Sequence, residues 1–275
     1  MTTVTELSAS RELLANLVSR ELRGKYKRST LGWAWSLINP LALAAMFTLV
    51  FSVILGAEAP EGDPSGLKFF PLHLLCALLP WAYLSNGMTG SIASLTSNAN
   101  LVKKVYFPRE VLVASSVLSF LVTLAIEMLV LSVGFLVAGN NVLPWLPLVV
   151  LLMVLQTAFV VGLGLALSVL NVYFRDIAHF LTIFLQLWFY ASPIIYPLAL
   201  VEQKAVGRDV LGVPVMTLYH ANPMVGFIQS YRALLYDLRF PDLGDLAYVS
   251  VVSLGALVAG WYVFQRFEPR LAEEL

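Results

Sequence analysis

The sequence predicts an all-α integral membrane protein of six transmembrane helices, with an N-terminal amphipathic helix at the membrane surface and short re-entrant helices on the outer face between spans five and six. Three observations carry this. Of 275 residues 59% are hydrophobic and only 12% charged, against about a quarter charged in an ordinary soluble domain. Uncharged stretches run over 29–57, 69–102, 111–126, 128–174, 177–201 and 246–265, and a helix needs about 20 apolar residues to cross hydrocarbon. The basic residues also alternate between the two sides that such spans define.

The spans fall near 36–56, 69–92, 111–138, 146–170, 177–195 and 246–266. The long apolar run after Met128 is cut by Gly139-Asn140-Asn141 and Pro144, whose turn chemistry separates spans three and four. With the N-terminus inside, the inner segments hold 12 Lys and Arg and the outer segments 5. That is the direction of the positive-inside rule and puts both termini in the cytoplasm. The stretch from Gly212 to Tyr236 is apolar enough to suggest a seventh span. Pro214, His220, Asn222-Pro223, Gln229 and Arg232 are costly in lipid, so it reads instead as two short amphipathic helices dipping into the outer face.

Ahead of the first span, Leu14, Val18 and Leu22 recur every four residues with Leu17 beside them, and Arg11, Arg20 and Arg23 fall mainly elsewhere on the wheel. This suits a helix lying in the cytoplasmic interface. The residues from Met1 to Arg28 lack the apolar core of a cleavable signal peptide.

Composition also excludes functions. The single cysteine, Cys76, can form no intrachain disulfide or CxxC motif. Lys plus Arg and Asp plus Glu are 17 each, so nothing points to a nucleic-acid partner. His73, His179 and His220 sit on different segments and suggest no metal site, and Asp237, Asp242 and Asp245 read as solvated loop acids. No Gly-x-x-x-x-Gly-Lys-[Ser/Thr] loop is present to hold ATP phosphates. The chain is therefore expected to be no enzyme, with no catalytic residues and no cofactor of its own.

Deep in the spans, Glu127 lies 11 residues from the outer end of its helix, Gln156 10 and Gln186 9. At similar depth they could form one polar layer, serving either as a hydrophilic strip along a transport path or as buried interhelical hydrogen bonds. Phe47 and Phe51 are four apart on span one, and Phe180, Phe184 and Trp188 are four apart on span five, so each set shares a helical face. Between spans two and three, a short loop offers Lys103, Lys104, Tyr106, Phe107 and Arg109 to a docked partner, with Pro108 fixing the turn into span three.

Three segments bring these features into one pattern. The basic run Arg23-Gly24-Lys25-Tyr26-Lys27-Arg28 passes through Ser29-Thr30-Leu31-Gly32-Trp33-Ala34-Trp35 into Asn39-Pro40. The second segment is Asn98-Ala99-Asn100-Leu101-Val102-Lys103-Lys104-Val105-Tyr106-Phe107-Pro108-Arg109-Glu110, and the third runs from Asn222-Pro223-Met224 through Tyr231-Arg232. On these motifs the chain resembles the membrane subunit of ABC-2 exporters that move lipid-linked polysaccharide, the family of O-antigen, teichoic acid and actinobacterial galactan permeases.

The resemblance covers nearly the whole chain, as one domain over 1–275 with the interface helix and basic segment at 10–30, the six-span bundle at 36–266 and an outer gate segment at 196–245. It implies that Asn100, Leu101, Lys103, Lys104, Tyr106, Phe107, Pro108 and Arg109 form a coupling helix in a groove of an ATPase. Spans one and five would line the polymer path, with Phe47, Phe51, Phe180, Phe184, Trp188, Glu127, Gln156 and Gln186 as its residues. Lys25, Lys27 and Arg28, beside Trp33 and Trp35, would meet the diphosphate of a polyprenyl-linked cargo. Tyr196, Asn222, Pro223, Tyr231 and Arg232 would belong to the outer gate. The implied partners are two P-loop ATPase subunits holding ATP and Mg, a second copy of the chain, lipid-linked polysaccharide and the lipids of a bacterial cytoplasmic membrane. An ABC-2 exporter of drugs or small lipids, an ion-coupled transporter and a membrane transferase of lipid-linked sugars stand as alternatives.

Overall fold

A computed structural model describes residues 11–25, 27, 29–54, 56, 59–105, 107–205, 209–210 and 213–274. Within them the chain is almost wholly helical; the exception is a two-residue antiparallel pairing of β1 (Asp209–Val210) with β2 (Val213–Pro214). Helix α1 is Arg11–Lys25 and α2 is Ala34–Phe47, extended by a π-helical turn to Ile54. Then come α3 (Phe70–Ser97), α4 (Ala99–Lys104), α5 (Glu110–Val137), α6 (Leu146–Tyr173) and α7 (Ile177–Tyr190). The outer segment holds α8 (Leu198–Ala205), α9 (Val215–His220) and α10 (Pro223–Arg232), the last continued by a π turn to Asp237. Helix α11 (Leu243–Phe267) and the short α12 (Leu271–Glu274) end the fold.

Each expected span coincides with a helix. Four helical stretches, 34–54, 110–137, 143–173 and 243–270, are long and apolar enough to cross a membrane. Helix α3 is as long as α5 and α6, but mixes His73, Ser85, Asn86, Thr89, Ser91 and Ser94 with its apolar residues. It is the central helix of the bundle, packed against both α5 and α6. Of its polar side chains His73, Ser91 and Ser94 are buried in protein, and its backbone is also bonded from outside, Asn171 Nδ2 of α6 donating to Ile92 O at 3.2 Å.

Helix α7 is shorter than expected, stopping at Tyr190 instead of 195. Pro193 disfavours helical backbone at Ser192, and turns carry the chain on to Pro197. At 14 residues α7 is ~21 Å long, short of the ~30 Å hydrocarbon core.

The closest packing joins α6 to α11. A Cβ at Gly260 would fall on the carbonyl of Gly162, and one at Gly162 would fall on the backbone of Ala256 and Leu257. Backbone contact of this kind brings long apolar helices together where burial from water supplies little driving force.

The apolar stripe of α1 is taken up by protein. Leu17 is buried, and Leu13 and Leu14 pack beside it, against a cluster at one end of the bundle that includes Leu95, Val111, Leu112 and Phe264. At the other end, the expectation of two amphipathic outer helices is corrected. Helix α9 is amphipathic in its exposure, but α10 is enclosed by α3, α6 and α11, with Phe227, Ile228 and Tyr231 fully buried. Neighbours close on it from more than one side, because Gly226 faces Val249 of α11 while Phe227 meets Phe159 of α6.

Candidate translocation site

The aromatic residues of α7 form a ladder. Phe180 and Phe184 stack with centroids 6.1 Å apart, and Phe184 meets Trp188 at 5.2 Å. On α2, Phe47 and Phe51 are 6.1 Å apart. The two stripes meet through a residue that spacing did not single out. Phe189 stacks on Phe47 at 6.4 Å and sets its ring against Trp81 of α3 at 5.7 Å, while Trp81 also meets Trp188 edge-on at 5.8 Å. Phe189 lies off the i, i+4 stripe of α7, and Trp81 looks like any aromatic in an apolar span, so neither carried a signal alone.

Glu127, Gln156 and Gln186 do not assemble into one polar layer. Gln156 is fully buried; its Nε2 donates to Pro80 O at 2.8 Å and its Oε1 accepts from the Tyr231 hydroxyl at 3.1 Å. It is an interhelical clasp between α3, α6 and α10. Glu127 instead borders an apolar cavity of about 160 Å³ between α2, α3 and α5, with Pro40, Leu75 and Gly134 among its walls. Gln186 faces α3 across an open groove beside Trp81. Equal depth left the rotation of each helix undetermined, and rotation sends the three side chains in different directions.

The basic segment also divides. Lys25 turns inward, its Nζ 3.3 Å from the centroid of the Phe120 ring on α5 and without a hydrogen-bond partner. Burial pulls its pKa from 10.5 down to about 8, against the opposing pull of Glu21 and Glu127. Lys27 is exposed, and Trp33 and Trp35 are each about two-fifths exposed at the start of α2. Arg28 lies outside the described residues.

At the loop between α3 and α5, Asn100, Lys103, Lys104 and Val105 are exposed, whereas Leu101 and Phe107 pack against the chain's own cluster at that end. Pro108 is half-buried, and Arg109 Nη1 donates to the backbone carbonyl of Glu268, tying the loop to the end of α11. Tyr106 lies outside the described residues. The sequence reading missed one link: Arg20 Nη2 of α1 donates to Asn98 Oδ1 at 2.8 Å, and Asn98 Nδ2 donates in turn to Ser94 O of α3 at 2.8 Å.

The outer segment is bound into the bundle by side-chain hydrogen bonds. Asn222 caps α10 by accepting from Met224 N at 3.0 Å, and also accepts from Trp188 Nε1 at 2.7 Å. Its Nδ2 reaches Ala191 O and Ser192 Oγ at 3.2 and 3.0 Å. Pro223 occupies the first turn of α10, where its missing N–H costs nothing. The Tyr196 hydroxyl donates to Tyr190 O at 2.7 Å and accepts from Tyr219 at 3.2 Å. Arg232 is buried and donates to Ile194 O at 3.1 Å, leaving Nε unpartnered; burial lowers its pKa to about 10.

Tyr236 and Asn140 belong to the same assembly, although neither was anticipated. The Tyr236 hydroxyl donates to Pro60 O at 2.9 Å and accepts from Phe69 N at 3.1 Å. Asn140 Nδ2 satisfies the carbonyls of Leu235 and Tyr236 at 3.0 and 3.1 Å. Asn140 reads in sequence only as a turn residue, yet its buried amide holds that turn to the outer segment.

Comparison with known proteins agrees with this architecture. The chain is 32% identical to the O-antigen export system permease protein RfbA of Myxococcus xanthus, over 99% of this chain and 98% of that protein. It is 27% identical to the protein of the same name from Klebsiella pneumoniae, over 96% and 95%. Similarity to the polysialic acid transport protein KpsM of Escherichia coli is 24% over 92% of each chain. The family described as ABC-2 type transporter matches residues 12–236, from α1 through the aromatic ladder to Tyr236, just past α10. This is a multi-pass membrane protein, and the chain belongs to the ABC-2 type transporter family.

Proposed function

We propose that this chain is the transmembrane subunit of an ATP-driven exporter that moves polysaccharide across the bacterial cytoplasmic membrane. The observation that carries the proposal is end-to-end similarity to O-antigen export permeases. The cargo is a lipid-linked polymer on a polyprenyl diphosphate, of the O-antigen, teichoic acid or galactan kind. Helices α2, α3, α5, α6, α7 and α11 make six spans, and both termini are cytoplasmic. Two copies assemble, because α2 and the aromatic face of α7 are left open in the single chain and one such bundle is small for a polymer path; Phe180 is 65% and Met46 61% exposed.

ATP and Mg are held by a separate ATPase subunit, one per copy. It docks at the α4 loop, where Lys103, Lys104 and Val105 project. ATP-driven movement there is passed along α3 and, through the Asn98–Arg20 bond, to α1. The ladder of α7 offers aromatic faces to sugar rings, and the Asn222 contacts join that ladder to the outer gate.

Two experiments test this reading. Deleting the gene should abolish surface polysaccharide while cytoplasmic lipid-linked polymer accumulates. Purifying the tagged protein from its native membranes should bring down a stoichiometric P-loop ATPase, identified by mass spectrometry. Intact surface polysaccharide, or a stable and active preparation without ATPase, would turn attention to the drug-exporter and ion-coupled alternatives.

A further inference from the structure

At the end of the bundle that holds α1 and α4, a cavity of about 360 Å³ is lined by Thr96 of α3, Asn171 and Val172 of α6, Arg175 in the turn that follows, Ala178 of α7 and Glu274 of α12. The helical stretch 143–173, which ends here, is long and apolar enough to cross a membrane. Its 31 residues reach ~46 Å, about the thickness of a bilayer with its headgroups, so the residues at its end lie at headgroup level. Glu274 is held beside them by the end of the chain. Leu271 is fully buried in the cluster of Leu17, Leu95 and Val102, and Arg109 Nη1 fastens the Glu268 carbonyl.

The polar groups of the wall are of two kinds. Asn171 is 6% exposed; its Nδ2 is committed to Ile92 O, and its Oδ1 has no hydrogen-bond partner. Thr96 Oγ1 donates to Ala93 O at 3.2 Å, which leaves the hydroxyl oxygen as an acceptor. With the Glu274 carboxylate, three side chains of the wall offer acceptors. The one cation among the described lining residues is Arg175, and neither it nor Glu274 takes part in the ion pairs among the described residues. A buried acceptor left without a donor is destabilising, and an occupant bearing N–H groups relieves that cost.

A primary ammonium has three N–H donors and no acceptor, which suits the acceptor side of the wall, and a phosphate suits the guanidinium of Arg175. One molecule that carries both, joined by a short link, is an aminophospholipid such as phosphatidylethanolamine. A lysine side chain from a protein partner would leave Arg175 without an anion, and a free phosphate would face the carboxylate of Glu274. The surroundings favour a lipid. Leu170 and Phe174 lie one residue before Asn171 and Arg175, and Phe174 is 64% exposed, so an apolar flank for acyl chains adjoins the polar cavity. We infer that this cavity is a headgroup site for a membrane phospholipid bearing a primary ammonium. The inference needs only a chain that crosses the membrane and holds whatever the cargo. A lipid seated there joins α3, the α6–α7 turn and the end of the chain, which also packs on α4.

The full chain, purified in detergent and stripped of lipid, is given phosphatidylethanolamine, phosphatidylcholine or phosphatidylglycerol with identical acyl chains. Native mass spectrometry counts retained lipid, and thermal unfolding reads the stabilisation that a bound ligand confers. Phosphatidylethanolamine should be retained several-fold more than the other two and should raise the melting temperature most. Choline has no N–H for the acceptors, and the glycerol headgroup has no cation for Glu274. Glu274→Gln and Arg175→Gln should each lower retention several-fold, while Glu202→Gln, exposed on α8, leaves it unchanged. Glu274→Lys should turn the preference toward phosphatidylglycerol, an outcome that misfolding cannot produce. Equal retention of the three lipids, or a Glu274→Lys protein that keeps the parent's preference, would overturn the site.

Two further arms identify the occupant. Glycerophosphoethanolamine carries the same headgroup without acyl chains, and if it raises the melting temperature as far as the lipid does, the ligand is a soluble one and the lipid assignment is wrong. Release of the lipid when a co-purifying ATPase is added back would give the cavity to that subunit, and would overturn the assignment too. A deletion strain that keeps its surface polysaccharide would sink the export reading and leave this site standing.

Discussion

The indole Nε1 of Trp188, at the outer end of the α7 ladder, donates a 2.7 Å hydrogen bond to Oδ1 of Asn222, the residue that caps α10. One side chain thus ties the proposed sugar-facing helix to the outer segment, and a second pair of bonds from its Nδ2 holds the turn after α7.

Asn222→Ala should destabilise the protein by about 2 kcal/mol, from loss of a helix cap and stranding of the Trp188 N–H. Asn222→Asp keeps both acceptor contacts and loses both donors, so it should fall between Ala and the parent. Thermal unfolding in detergent orders the three proteins, and export should follow the same order if the latch couples the ladder to the gate.

Two glycines of α11 predict opposite outcomes. At Gly260 a Cβ meets the Gly162 backbone, so Gly260→Ala forces α6 and α11 apart, at a cost of about 1–3 kcal/mol. At Gly255 nothing lies within 4 Å, and Gly255→Ala should raise stability by up to ~1 kcal/mol through helix propensity. Melting temperatures of the two variants should move in opposite directions.

Lys25 predicts a pH dependence. Its pKa is about 8 when folded against an ordinary 10.5, so between those values the unfolded chain binds more protons. Stability contributed by this residue therefore rises with pH across that window, and the cost of burying the ammonium is fully present below pH ~8. Lys25→Met should be more stable than the parent at pH 7 and should flatten the rise from pH 7 to 10. If Lys25 also meets the cargo diphosphate, the stabilised variant will export less, a trade of the kind expected at functional charges.

The exposed pair Lys103 and Lys104 predicts the strength of ATPase docking. Reversing both to Glu should weaken co-purification of the ATPase about tenfold, equivalent to ~1.4 kcal/mol. Phe107→Ala acts differently, because Phe107 packs on the chain's own cluster at that end of the bundle and its loss should first lower thermal stability. About 0.5 M salt in the wash should mimic the Lys reversal and leave the Phe107 variant unaffected.

Much of this was legible in sequence where one chemical property decides the matter. Stretches free of charge located the helices, and the four-residue spacing of Phe180, Phe184 and Trp188 placed their rings on one face, where they stack. Pro193 could have warned that α7 ends early. The outer segment was less legible, since composition gives α10 the marks of a surface helix while its position between α3, α6 and α11 buries it.

What the sequence alone determined is therefore the membrane class, the helix order and the family, because hydrophobic length and motif are properties of contiguous residues. The tertiary structure decided which side chains meet. Depth along a helix can be counted, but rotation about its axis is set by packing against neighbours such as the Gly162–Gly260 crossing. Rotation is what sends Gln156 to Tyr231, Glu127 to an apolar cavity and Gln186 to Trp81, and what brings Trp188 within hydrogen-bonding distance of a residue 34 positions away.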